Sequence, residues 1–203
     1  PMVTESLTNF SVKGKGNIRG DGTSVSVDLG EQSFKSKLKV VLARDYGREG
    51  HLVVTLEKIK EPFLPGRAEL TVDGQNSGMT QIANYGRGED VTIPFGYMPL
   101  IKVNKTTDVA KTGSGFRSGT LQDGYALEVV NGSSLTMDIE LIDRVPYSAN
   151  DKIVVDNITI EPKPDKNENN VLTWNMTLKP GETRKFNISY RVKHPGDKEV
   201  YFR

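Results

Sequence analysis

The sequence predicts an all-β protein made of two β-sandwich-like, immunoglobulin-like halves, each built from antiparallel sheets. Three observations carry that prediction. Twenty valines and sixteen threonines stand against six alanines, and β-branched side chains lose rotamer freedom in a helix but fit a pleated sheet. Apolar and polar residues alternate with period two in most apolar segments, the pattern of a strand with one buried face. Gly and Pro turn signals separate about a dozen short segments at spacings of about 8–12 residues, the rhythm of sandwich folds.

Taken in order, Val25, Val27 and Leu29 alternate with Ser24, Ser26 and Asp28 to mark a first strand. Further strands are predicted over residues 37–42, 52–57, 67–72, 90–95, 125–130 and 153–160. Leu135, Met137, Ile139 and Leu141 alternate with Thr136, Asp138 and Glu140. The same reading holds for Leu172, Trp174, Met176 and Leu178, then for Phe186, Ile188, Tyr190 and Val192. Lys179-Pro180-Gly181-Glu182 lies between these last two runs, so they read as an antiparallel hairpin. Asp21-Gly22, Asp73-Gly74 and Asp123-Gly124 supply turns, while Glu61-Pro62, Leu64-Pro65-Gly66 and Glu161-Pro162 end strands by removing backbone donors.

Sheets this numerous divide into two packed units. The division is placed at Met98-Pro99, giving an N-terminal half over 1–98 and a C-terminal half over 99–203. Residues 104–124, rich in Gly, Ser and Thr, read as a mobile loop or long hairpin tip, and residues 161–170 as a surface loop.

Composition removes several function classes. Twenty-seven Lys and Arg against 26 Asp and Glu leave a net charge of +1, so no basic excess points to nucleic acid. No apolar run approaches the roughly 20 residues of a membrane span. Zero cysteines exclude disulfides, thiolate metal sites and cysteine nucleophiles. The first residues show neither the basic nor the apolar region of a signal peptide.

Individual motifs are read against their plainer explanations. His51 and His194 stand in no metal-ligand spacing and read as strand-end residues. Asp165-Lys166-Asn167-Glu168-Asn169 opens like a calcium loop, but Asn170 replaces the turn glycine and Met176 the bidentate Glu, so a solvated loop is expected. Asp138 and Glu140 share the wet side of a strand. Trp174 and Tyr190 fall in phase with the apolar face and belong to the core. Arg19-Gly20-Asp21 is explained as a tight turn. Asn9, Asn104, Asn131, Asn157, Asn175 and Asn187 each open an Asn-x-Ser/Thr triplet, a glycan acceptor only in a eukaryotic secretory setting. No metal, cofactor or catalytic residue is assigned.

A resemblance enters through the order of several weak motifs: Leu64-Pro65-Gly66-Arg67 with Phe95-Gly96 and Ile101-Lys102-Val103, then Asp143-Arg144-Val145-Pro146-Tyr147-Ser148, Leu172-Thr173-Trp174, Leu178-Lys179-Pro180-Gly181-Glu182, and Tyr190-Arg191-Val192-Lys193-His194-Pro195. This succession resembles the C-terminal domain of unknown function of mucoidy-inhibitor-A-like proteins. The resemblance implies a β-rich module, placed after a smaller domain and a coiled-coil stretch, often in proteins exported to the bacterial envelope. It implies that the chain is a C-terminal fragment or shortened relative, and it transfers no catalytic residue. Where relatives carry an Asp and an Arg around the proline after the Phe-Gly pair, this chain has Met98-Pro99-Leu100.

The function expected from all of this is that of a non-enzymatic interaction or structural module from a periplasmic, envelope or extracellular protein, with a protein or glycan partner and with homo-oligomerisation through strand edges left open. The alternative is a carbohydrate-binding or carbohydrate-active domain with its site between the two halves. Tyr85, Tyr97 and Tyr147 in turn-rich segments are the candidates for a binding surface. Lys185, Arg191 and Lys193 line the polar face of one strand, with Arg184 alongside, and are candidates for contact with an acidic polysaccharide or a phosphate-rich surface, or simply charges that protect an edge.

Overall fold

A computed structural model describes residues 20–22, 30–72, 74–107 and 119–195. The predicted strand over 24–29 and the glycine-rich stretch around Gly113 and Gly115 lie outside the described residues. The chain separates into two compact units, residues 1–34 and 35–203. The second holds strands β1 (Ser36–Ala43), β2 (Glu49–Leu56), β3 (Gly66–Val72), β4 (Gln75–Ile82), β5 (Val91–Thr107), β6 (Thr120–Asn131), β7 (Met137–Arg144), β8 (Val154–Glu161), β9 (Lys166–Glu168), β10 (Val171–Leu178) and β11 (Thr183–Lys193), with one 3-10 turn at Arg44–Tyr46. The all-β class follows from the period-two faces, as in β10, where Leu172, Trp174, Met176 and Leu178 are buried and the residues between them are not.

In place of two halves, nine of these strands form a single sheet in the order β8-β11-β6-β5-β2-β1-β7-β10-β9. The sheet is mixed: all its pairs are antiparallel except β1 with β7, which run parallel from Val40 opposite Ile139 to Ala43 opposite Ile142. Strands far apart in that order nevertheless touch. The rings of Trp174 on β10 and Phe186 on β11 are 5.1 Å apart, and Tyr125 on β6 hydrogen-bonds to Asp143 on β7. The sheet therefore folds over, and its apolar side closes on itself around residues of β1, β2, β5, β6, β7, β10 and β11.

The predicted hairpin is corrected by the same geometry. β10 pairs with β7 and β9, and β11 pairs with β6 and β8, so the two strands never pair with each other. The turn at 179–182 carries the chain from one layer to the other, which lets both apolar faces meet across the core instead of lying side by side. Asn131, fully buried at the end of β6, clips this crossover. Its side-chain amide donates to the carbonyls of Leu178 and Leu135, both at 2.9 Å, and reaches that of Lys179 at 3.2 Å. Its backbone bonds Gly181 and Glu182, and Gly181 supplies the positive φ, 73°, that the turn needs.

The division expected at Met98-Pro99 falls inside β5. That strand pairs with β2 from Val91 to Met98 and again at Lys102, opposite Glu49, and with β6 from Ile101 to Thr107, so Pro99 lies in a bulged stretch of the β2 pairing. Proline has no N–H to give a ladder, so it sits at this bulge. Gly50 of β2 faces this bend; a Cβ there would come within 2.3 Å of Val40 Cγ1 and 3.2 Å of the Ile101 carbonyl. The hairpin β3–β4, turned at Gly74, stands as a separate two-stranded sheet and touches β5 through Ser77, whose hydroxyl donates to the Phe95 carbonyl at 2.8 Å. Part of the predicted surface loop at 161–170 is strand: β9 returns to β10 through Asn169 and Asn170, both at positive φ, the geometry of a two-residue hairpin turn.

Across the core, Asp143 is the second buried polar anchor, 2% exposed. It accepts the Tyr125 hydroxyl at 2.6 Å and the Nε of Arg44. Burial first, and then the Asp143 charge, push the Tyr125 phenol well above its ordinary value.

Two outcomes are expected. Asn131→Ala strands buried carbonyls at the crossover and lowers the unfolding free energy by about 2–3 kcal/mol in chemical denaturation. Tyr125→Phe costs about 1–2 kcal/mol at neutral pH. Because the folded pKa of Tyr125 is raised, its stabilisation is complete below the ordinary tyrosine value of about 10 and fades as pH rises beyond it; the variant's alkaline unfolding limb is correspondingly flatter.

Candidate functional site

The pairing of β1 is uneven. Against β2 it runs from Ser36 to Val41, but against β7 it begins only at Val40. Before Val40 the two strands diverge, and the gap opens into a groove of about 950 Å³. Lys37, Leu38 and Lys39 form one wall, Asp138 and Ile139 of β7 with Asn175, Met176 and Thr177 of β10 form another, and Thr55, Glu57, Asp90 and Arg184 complete it. Leu38 is in phase with Val40 and Leu42, which are fully buried, yet it is 51% exposed because no β7 residue covers it.

The charges of the groove are already matched within the fold. Lys37 meets Glu57 at 2.5 Å, and Lys39 meets Glu140 at 2.7 Å. Asp138 accepts the Thr177 hydroxyl at 2.6 Å. Asp90 accepts the Lys58 backbone N–H at 2.9 Å, a bond that holds its carboxyl below the usual carboxylate range. A general acid requires the opposite displacement. What the groove presents is a strand segment, one uncovered apolar side chain and polar groups of both signs, the features used to recognise an extended chain.

The residues singled out in the sequence are dispersed. Tyr85 is partly buried and forms an isolated bridge with Phe63. Tyr97 is 68% exposed on β5, its ring 4.6 Å from that of His51, and Tyr147 is 71% exposed after β7. No ring contact among the described residues joins the three tyrosines. Arg184 lines the groove, 3.9 Å from Glu182. Arg191 and Lys193 lie toward the other end of β11 and close on one carboxylate of β8: Asp156 takes Arg191 Nε at 2.6 Å and Nη2 at 3.0 Å, and Lys193 Nζ at 2.8 Å. Those hydrogen bonds hold Asp156 far below the usual carboxylate range.

The core reading of Trp174 and Tyr190 fits their surroundings, whereas Lys166–Glu168 of the expected solvated loop form β9 and His51 lies inside β2. Trp174 and Tyr190 are buried at 3% and 4% exposure. Asp165 accepts the Asn175 backbone N–H at 2.6 Å, and no group of three His, Asp or Glu placed to hold a metal occurs among the described residues. His194 bonds through its backbone to Gly119 and through Nδ1 to the Pro195 carbonyl. The Asn131 triplet is closed to a glycan by its burial, whereas Asn157, Asn175 and Asn187 are exposed; Asn9 and Arg19 lie outside the described residues.

The groove has no signature in the sequence. Leu38 carries the same alternation signal as the core residues beside it, and nothing local reports where two strands part.

Replacing Asp156 with Asn removes a group whose folded pKa is depressed. Its contribution is present above the ordinary aspartate value of about 3.9 and lost as pH falls below it. The acid limb of D156N is therefore expected to be flatter than that of the parent in an acid-unfolding titration followed by circular dichroism.

The family model for a domain of unknown function (DUF4139) matches residues 3–196. Comparison with curated proteins and with solved structures gave no match.

Proposed function

The chain belongs to the DUF4139 family of domains of unknown function, and from that premise we propose that it is a non-enzymatic interaction module that receives an extended polypeptide segment in the groove beside β1. The observation that carries this reading is the stretch Ser36–Lys39, where β1 has a β2 partner on one side and no β7 partner on the other. A strand edge of this kind accepts main-chain hydrogen bonds from an added strand, while Leu38 and the charged residues around it give side-chain selectivity.

The outer edge of the sheet is a poorer candidate. β8 is bulged, with Asn157 at φ 49°, and carries the Asp156 clamp, both devices that discourage strand addition. The groove's carboxylates are engaged by Lys, Thr or backbone donors, which supports binding over catalysis. The resemblance to mucoidy-inhibitor-A-like proteins supports a place for this module in an exported or envelope protein. A glycan ligand is the second reading, favoured by the exposed ring of Tyr97.

Screening the folded chain against a library of extended peptides and a glycan array separates the two. The expected result is a saturable peptide ligand whose binding protects the Ser36–Lys39 amides from hydrogen exchange and weakens about tenfold or more in Leu38→Asp, the equivalent of about 1.4 kcal/mol. Binding that ignores Leu38→Asp, or a glycan ligand lost on Tyr97→Ala, overturns the peptide reading.

A further inference from the structure

A second cavity, of about 300 Å³, lies between the 3-10 turn after β1 and the β6-paired part of β5. Arg44, Arg48 and Lys105 line it, with Asn104 between the last two. It shares no residue with the groove beside β1, and its chemistry is independent of peptide binding there.

The three cations are not equally satisfied. Arg44 donates Nε to the buried Asp143, which balances one charge and fixes the guanidinium in place. Arg48 has Asn104 Oδ1 as its side-chain acceptor, which is neutral. The Lys105 ammonium lies 4.2 Å from the centroid of the Tyr125 ring, and the Arg44 guanidinium carbon 5.6 Å from the same point. Neither Arg48 nor Lys105 has a carboxylate within ion-pair distance among the described residues, in contrast to Lys37, Lys39, Arg191 and Lys193. Lost hydration, followed by the Arg44 charge, holds Lys105 below the usual lysine range against the opposing pull of Asp143 and Asp123.

Two uncompensated charges facing one small cavity match a doubly charged oxyanion. A phosphate group carries about −1.5 to −2 charges at neutral pH, and its oxygens accept from guanidinium and ammonium donors together. A monocarboxylate would leave one cation unmatched. We infer that this cavity binds a phosphate group, free or carried as a monoester, through Arg48 and Lys105, with Arg44 as the third donor held in position by Asp143. The bound phosphate supplies the counter-charge that Lys105 lacks and draws its titration back upward.

The test uses the whole chain at constant ionic strength, titrated with inorganic phosphate and separately with glycerol phosphate against chloride, followed by NMR of the Lys105 side chain. Saturable shifts are expected, with the Lys105 titration moving to higher pH. Lys105→Met and Arg48→Met each weaken binding about tenfold, and Lys166→Met on β9 leaves it unchanged. Tighter binding of glycerol phosphate identifies a monoester ligand, and equal or tighter binding of inorganic phosphate identifies the free anion. Absence of saturation with both, an unmoved Lys105 titration, or equal losses in Lys105→Met and Lys166→Met overturns the proposal.

Discussion

A sheet whose strands each have one apolar face must cover that face, and here the covering is the sheet itself. Trp174 on β10 meets Phe186 on β11 although four residues separate the strands in sequence and five other strands separate them in the sheet. Burial of large aromatic and aliphatic side chains drives this closure. The crossover at 179–182 is its geometric consequence: the backbone passes there between layers, and Gly181 supplies the positive φ the turn needs.

Polar groups trapped by the closure define its register. Asn131 fastens the crossover through carbonyls that would otherwise be buried without donors, and Asp143 ties β6 to the turn after β1 through Tyr125 and Arg44. Partnerless groups at these depths are costly, so each pair admits few alternatives. The same anchoring organises the periphery. By fixing Arg44, Asp143 sets one wall of the cationic cavity. The parallel β1–β7 pairing, which starts only at Val40, leaves the preceding stretch of β1 to border the groove.

The groove and the cavity differ in their charge balance. At the groove the charges are matched within the fold; at the cavity Arg48 and Lys105 have no carboxylate within ion-pair distance among the described residues. The first suits recognition of a backbone and the second recognition of an anion.

The residue pattern was enough for the all-β class and for the inward faces of β7, β10 and β11. Side chains alternate with period two whatever the strand pairs with, so Leu172 through Leu178 and Phe186 through Val192 could be assigned to the core before any partner was known. Alternation is silent about partners, which long-range packing sets. The Lys179–Glu182 turn has hairpin chemistry, yet it bridges two layers, which places Trp174 and Phe186 face to face across the core. Met98-Pro99 carries a break signal, yet the break is a bulge in the β2 pairing inside β5. Leu38 has the periodicity of a core residue, and Lys105 falls in phase with the buried Ile101 and Val103. Which of them borders a site depends on where β7 begins and where Arg44 and Arg48 are brought by the turn after β1, distances that no local pattern encodes.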